Sequence, residues 1–262
     1  MPVQPVRSVQ PVRSFVALGD SFTEGVGDPY PDGTCRGWAD RFAGHLAASE
    51  PRLRYANLAI RGKVLRQVVD EQVPAAIALA PDLVSIAAGG NDLLRPRADP
   101  DDLAATFEYA VASLRAAGSQ VMLFTGFDPG GFPLIRLIRG KAAAFNAQLR
   151  EVARRHECLH TDLWSMTVLA DPRHWCEDRL HLAAEGHRRV ALRASEVAGL
   201  PVAEDWRDPP PAHLGGPPGW LTERQRDIQW ARTHAVPWLR RRVRGISSGD
   251  GMAPKRPDLL PL

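Results

Sequence analysis

Cysteine is scarce in this chain of 262 residues: Cys35, Cys158 and Cys176 are odd in number and share no C-x-x-C spacing. That pattern offers neither a disulfide framework nor a thiolate zinc site, and a reducing, cytoplasmic setting is expected. Long hydrophobic runs are missing too. No stretch approaches the roughly 18 apolar residues of a membrane helix, and the first fourteen residues contain no apolar core of a signal peptide. Stable membrane insertion is therefore not expected. Charge of one sign is not in surplus: the formal net charge is +3, and residues 1–200 carry 23 basic against 23 acidic side chains. The whole excess lies in residues 201–262, with 10 basic against 7 acidic. A solvated helix accounts for it more simply than nucleic acid, and no nucleic-acid partner is expected. Neither H-E-x-x-H nor a P-loop sequence occurs, so no metal and no nucleotide cofactor is implied.

What is present is an alternation of two periods. Apolar runs at 15–18, 54–60, 82–88, 120–125 and 158–163 are separated by helical-period segments near 37–49, 64–79, 101–117, 136–155 and 183–198. Strands joined by helical crossovers pair in parallel, which predicts an α/β fold of three layers, helix, sheet and helix. Residues 1–14, with a near-repeat of Pro-Val-Arg-Ser, read as an extended arm. Beyond Leu200, Pro209-Pro210-Pro211 and Gly215-Gly216-Pro217-Pro218 mark a linker, followed by an apolar segment with Trp230 and Trp238 read as a docked helical appendage over the rest of 201–262. The body is thus 15–200.

Gly19-Asp20-Ser21 follows the first apolar run directly, placing a serine on the turn that leaves a strand. Open α/β sheets bind and react with ligands at that edge. Asp178-Arg179-Leu180-His181 stands before the last helical segment, and its spacing allows the carboxylate to bond Nδ1–H of the imidazole and leave Nε2 to accept a proton. A second D-x-x-H, Asp171-Pro172-Arg173-His174, lies within a loop and contains a proline. Gly62 follows the second strand and Asn91 the third, so both reach the same edge and could donate to an oxyanion; alone, each also suits an ordinary turn. Gly245-Ile246-Ser247-Ser248-Gly249 matches the nucleophile elbow G-x-S-x-G, but it lacks a preceding strand, a following helix and a downstream histidine.

Four blocks in this order resemble the GDSL, or SGNH, hydrolase superfamily, from about Phe15 to Leu200. The first block departs from the family name in reading Gly-Asp-Ser-Phe, and Ala59 stands where many relatives carry glycine. The resemblance implies a flavodoxin-like sandwich with a five-stranded parallel sheet of order 2-1-3-4-5. It implies Ser21 as nucleophile, His181 as general base and Asp178 as its orienter. Ser21, Gly62 and Asn91 would form the oxyanion hole. The activity it implies is hydrolysis of carboxylic esters through an acyl-enzyme, without a cofactor, on a small-molecule acyl ester. An acyltransferase or deacetylase using the same intermediate is the alternative, and a non-catalytic module using the basic tail is the alternative of another class. Phe127, Phe132 and Leu134, in the loop after the fourth strand, could line an acyl pocket or simply pack over the sheet edge.

Overall fold

Continuous apolar runs become buried strands. In a computed structural model, which describes residues 12–132, 135–209 and 247–262 with Gln229, Trp230, Arg232, Thr233 and Pro237, the run Ser14–Gly19 forms β1, buried at every position. It lies between β2 (Arg54–Asn57) and β3 (Leu83–Ala87), parallel to both. Beyond β3 come β4 (Gln120–Thr125) and β5 (Leu159–Asp162), also parallel. The connecting helices are α1 (Ser21–Glu24), α2 (Gly37–Ser49), α3 (Leu65–Gln67), α4 (Val73–Leu79), α5 (Gly90–Leu93), α6 (Pro100–Ala116), α7 (Arg139–Arg155) and α8 (Ala184–Val197), with a π turn, Val68–Gln72, between α3 and α4.

Alternate side chains of β1 feed two cores. Phe15 and Ala17 pack with Trp38 and Phe42 of α2 and Ala191 of α8, whereas Val16 and Leu18 pack with Val68, Phe107 of α6 and Phe145 of α7. Both faces of the sheet are therefore covered. Truncating a fully buried ring such as Phe42 to alanine would cost about 3–5 kcal/mol.

One expectation is corrected. The sheet is six-stranded and mixed, in the order β5-β4-β3-β1-β2-β6, and not a five-stranded parallel flavodoxin-like sheet. The added strand β6, Arg256–Pro261, runs antiparallel to β2 and comes from the segment expected to be a helical extension. Pro257 and Pro261 disguise it, because a proline-bearing run reads poorly as a strand. An edge position tolerates them, since no neighbour needs their missing N–H groups. Of that expected appendage, residues 210–228, 231, 234–236 and 238–246 lie outside the described residues, as do all but three residues of the expected N-terminal arm.

The crossovers leave the β-to-α loops on one edge. Ser21 follows β1, Gly62 β2 and Asn91 β3, while Phe127 follows β4 and the loop after β5 carries Asp178 and His181 toward α8.

Candidate active site

Backbone geometry fixes Ser21 first. Gly19 has φ +151°, and a Cβ there would lie 2.4 Å from the Ala87 carbonyl oxygen, so only glycine lets β1 approach β3 this closely. The buried Gln72 amide clamps the same residue, accepting from Gly19 N–H at 2.8 Å and donating to its carbonyl at 2.9 Å. Asp20 caps α1 by accepting from Phe22 N–H at 3.1 Å. Its other oxygen accepts from Asn91 Nδ2 at 3.2 Å. Burial pushes the Asp20 carboxyl up to about 6, against the opposing pull of the Phe22 N–H and the His181 charge.

The loops after β2 and β3 are bound to this one. Arg61 donates its backbone N–H to Glu24 Oε2 at 2.6 Å, and its guanidinium grips the same buried carboxylate. Gly62 follows with φ +77°, in the left-handed region that side chains avoid. Asn91 Nδ2 also donates to the Lys63 carbonyl at 3.0 Å, and Asp92 accepts from Leu65 N–H at 2.9 Å. Three loops thus share one hydrogen-bonded network, which holds Ser21, Gly62 and Asn91 in fixed relation.

Asp178 and His181 are joined within their own turn, where Arg179 adopts φ +55°. Asp178 Oδ1 accepts from Leu180 N–H at 2.9 Å and His181 N–H at 3.0 Å, leaving Oδ2 for His181 Nδ1 at 2.6 Å. Burial works to raise this carboxyl, but the hydrogen bonds and charge of His181 outweigh it and hold the group at about 2. The turn is seated by Cys176 N–H on the His181 carbonyl at 2.8 Å and by Ala183 N–H on the His174 carbonyl at 2.8 Å. Below it His187 is buried and accepts from Trp38 N–H at Nδ1, while Nε2 faces the Val26 carbonyl. Burial pushes that imidazole down to about 4, consistent with a neutral ring bridging two elements.

The sequence candidates separate accordingly. Ser21, Gly62, Asn91, Asp178 and His181 line one cavity of about 410 Å3. The second D-x-x-H does not join them, because Asp171 pairs with Arg173 and His174 is buried. Ser247 opens the turn 247–250 before β6 and is not on an elbow between strand and helix. Phe127 lines the cavity, whereas Phe132 is buried behind it, with both rings packed on Trp175 at 4.4 and 4.6 Å. Leu134 lies outside the described residues. Sequence reasoning missed Glu24, Gln72 and Arg61, whose partners are far apart in the chain, and Ser248, which also lines the cavity.

The wall toward β4 and β5 is apolar, with Phe127, Ile135, Ile138, Phe145, Leu163 and Trp175. Polar lining comes from Asp20, Ser21, Arg61, Asn91, Asp178, His181 and Ser248, and on the β4 side from Thr125 and Asn146. Among the described residues no group of three or more His, Cys, Asp or Glu side chains is placed to hold a metal, and no helix is long and apolar enough to cross a membrane.

Comparison with known proteins agrees with this architecture. Residues 17–189 match the GDSL-like Lipase/Acylhydrolase family. The fold is similar to that of LAE5, described as an alpha/beta hydrolase enzyme from the metagenome of Lake Arreo, Spain, at 24% identity over 71% of this chain and 95% of that one, with a TM-score of 0.61. It is also similar to Axe2, an acetylxylan esterase from Geobacillus stearothermophilus, at 22% identity over 76% of this chain and 97% of that one, TM-score 0.62. A third likeness is to TesA, at 23% identity over 70% and 97%, TM-score 0.59. No curated protein matches the chain. With the family matched across most of the α/β body, the chain belongs to the GDSL-like lipase/acylhydrolase family and is a serine-type hydrolase of carboxylic esters.

Proposed function

We propose that Ser21 is the nucleophile, His181 its general base and Asp178 the group that fixes the imidazole. The observation that carries this is the 2.6 Å contact of Asp178 with His181 Nδ1, made by a histidine that shares its cavity with Ser21. With Nδ1–H committed to the carboxylate, Nε2 is the basic atom. His181 takes the Ser21 proton as Oγ attacks the acyl carbonyl. The tetrahedral oxyanion is met by Ser21 N–H, Gly62 N–H and the Asn91 amide. Asn91 reaches Asp20 at 3.2 Å and Lys63 O at 3.0 Å, so the longer bond to Asp20 is the one an oxyanion would replace. His181 then returns the proton to the departing alcohol. Water enters and gives its proton to His181, which passes it to the departing Ser21 Oγ as the second tetrahedral intermediate collapses to the acid.

The acyl group is assigned to the apolar wall. A volume of about 410 Å3 lies within the roughly 300–1,000 Å3 of small-ligand sites, and aromatic and aliphatic lining favours an acyl chain longer than acetyl. Each buried methylene is worth about 0.8 kcal/mol, or about fourfold in kcat/KM. A series of p-nitrophenyl esters from acetyl upward should rise by that factor per carbon until the cavity fills. A maximum at acetyl would contradict the acyl assignment. Ser21→Ala should lower hydrolysis by about 10,000-fold or more with an unchanged circular-dichroism spectrum. Retained activity would overturn the nucleophile. We assign the catalytic unit to residues 15–200, and the three free cysteines fit a cytoplasmic setting.

A further inference from the structure

The family match ends at residue 189, yet the C-terminal segment returns to the active-site edge. Its anchorage is extensive. Lys255 inserts its ammonium between the Cys35 and Arg36 carbonyls at 2.8 and 2.7 Å and the Asp40 carboxylate at 2.7 Å. Strand β6 pairs with β2, Arg256 Nε donates to the Tyr55 carbonyl at 2.8 Å, and Leu262 N–H donates to the Leu53 carbonyl at 3.2 Å. Immediately before this anchor, the turn 247–250 is closed on itself: Ser247 N–H donates to Asp250 Oδ2 at 2.8 Å, and Gly249 N–H donates to Ser247 Oγ at 3.2 Å.

That turn lies directly on the loop carrying Gly62. A Cβ on Gly62 would meet Ser247 Oγ at 2.2 Å and Ser248 Oγ at 3.4 Å, and the Gly249 backbone packs on the Arg61 carbonyl. Ser248 is exposed and lines the mouth of the cavity that holds Ser21 and His181. Its side of the cavity is defined by the sheet order. Ser21 follows β1, the apolar wall comes from segments after β4 and β5, and Ser248 sits beyond β1 in the opposite direction, on the β2 and β6 side.

We propose that Ser248 is a specificity-determining residue for the leaving group, its hydroxyl forming the wall against which the alcohol of the ester rests. The inference rests on the esterase reading above, with the acyl chain on the apolar side. An ester carbonyl held at Ser21 has two substituents, and an acyl chain toward β4 and β5 directs the alkoxy group the other way. A polar, solvent-facing hydroxyl at that position suits an alcohol bearing a polar or bulky head more than a second hydrocarbon chain.

The chemistry provides a test that separates contact from mere support. Acylation and deacylation both pass through an oxyanion at Gly62, but only acylation contains the leaving group. In the full chain, Ser248→Trp and Ser248→Gly are compared with the unmodified protein on hexanoate esters of methanol, glycerol and a branched secondary alcohol. Deacylation is read separately from hydrolysis of the acyl-enzyme preloaded with p-nitrophenyl hexanoate. For Ser248→Trp, kcat/KM should fall by about tenfold or more for the branched alcohol relative to methyl hexanoate, and Ser248→Gly should shift the ratio the other way. Deacylation should stay within about twofold. Equal slowing of acylation and deacylation would show that the turn only supports Gly62 and would overturn the proposal, as would an unchanged alcohol ratio in both variants. A changed preference among acyl lengths would overturn it by placing Ser248 on the acyl side. Activity retained by Ser21→Ala would instead defeat the parent reading.

Discussion

Asp171-Pro172-Arg173-His174 and Asp178-Arg179-Leu180-His181 have the same aspartate-to-histidine spacing, lie in neighbouring loops, and place their histidines very differently. In the first, Asp171 accepts from Arg173 N–H at 2.9 Å and pairs with its guanidinium at 2.6 Å, so the carboxylate is occupied before the histidine is reached. His174 is fully buried, and burial pushes its imidazole down. In the second, one oxygen is satisfied by the turn's own N–H groups and the other faces an imidazole that lines the cavity. Both carboxyls sit at about 2, for different causes: the Arg173 hydrogen bond leads at Asp171, whereas at Asp178 the bonds and charge of His181 override an opposing burial. A depressed carboxylate alone therefore does not single out Asp178, the aspartate we propose for catalysis; the two differ in the partner each carboxylate holds.

The contrast can be broken most sharply at the histidines. His181→Ala should reduce kcat/KM on p-nitrophenyl esters by about 10,000-fold or more, while His174→Ala should leave it within a few-fold and instead lower stability by about 2 kcal/mol in urea unfolding. Comparable activity losses in both would erase the distinction. The aspartates form the next pair. Asp178→Asn should cost about 1,000- to 10,000-fold in kcat, because its amide oxygen stays with the Leu180 and His181 N–H groups and its NH2 faces Nδ1, favouring the wrong tautomer, whereas Asp171→Asn should leave kcat unchanged in the same assay.

Asp20 supplies a carboxylate shifted in the opposite direction. Raised from 3.8 to about 6, it binds its proton more tightly in the folded state, so stability falls as pH rises from about 4 through 6. The difference corresponds to about 3 kcal/mol at the upper limit. Asp20→Asn, which can still cap α1, should flatten that slope and raise Tm at pH 8 more than at pH 4. A larger gain at pH 4 would contradict the burial effect. The smallest effect is at Asp178, whose depressed carboxyl contributes stability above pH 3.8 that is lost as pH falls through 2, about 2 kcal/mol in full. In His181→Ala the Asp178 carboxyl should titrate upward by carbon-detected NMR, while Asp171 in His174→Ala should stay near 2.

Much of this was legible locally. The apolar run at 15–18 lies within β1, and the helical period near 37–49 coincides with α2, because both patterns reflect burial on a regular element. The turns bearing Ser21 and His181 could be read from short blocks, since each contains an aspartate that bonds a backbone N–H two or three residues on, although Gln72 also clamps the first from 53 residues away. What could not be read depends on distance or on a partner. Arg61 and Glu24 are 37 residues apart and Asn91 and Asp20 are 71, with nothing local to announce the pairing. Strand β6 owes its existence to the open edge of β2, and its two prolines carry the opposite local signal. Ser248 entered view only within a G-x-S-x-G match set aside for want of a strand, a helix and a downstream histidine, because its place at the cavity is set by Lys255 and β6 behind it.

We propose that the hydroxyl oxygen activated by His181 is Ser21 Oγ and not that of Ser247 or Ser248. Reaction with a fluorophosphonate, followed by peptide mapping, distinguishes them. A single adduct on Ser21 is expected, strongly slowed in His181→Ala and formed at the ordinary rate in His174→Ala. An adduct on Ser247 or Ser248, or labelling of Ser21 that is indifferent to His181, would contradict it.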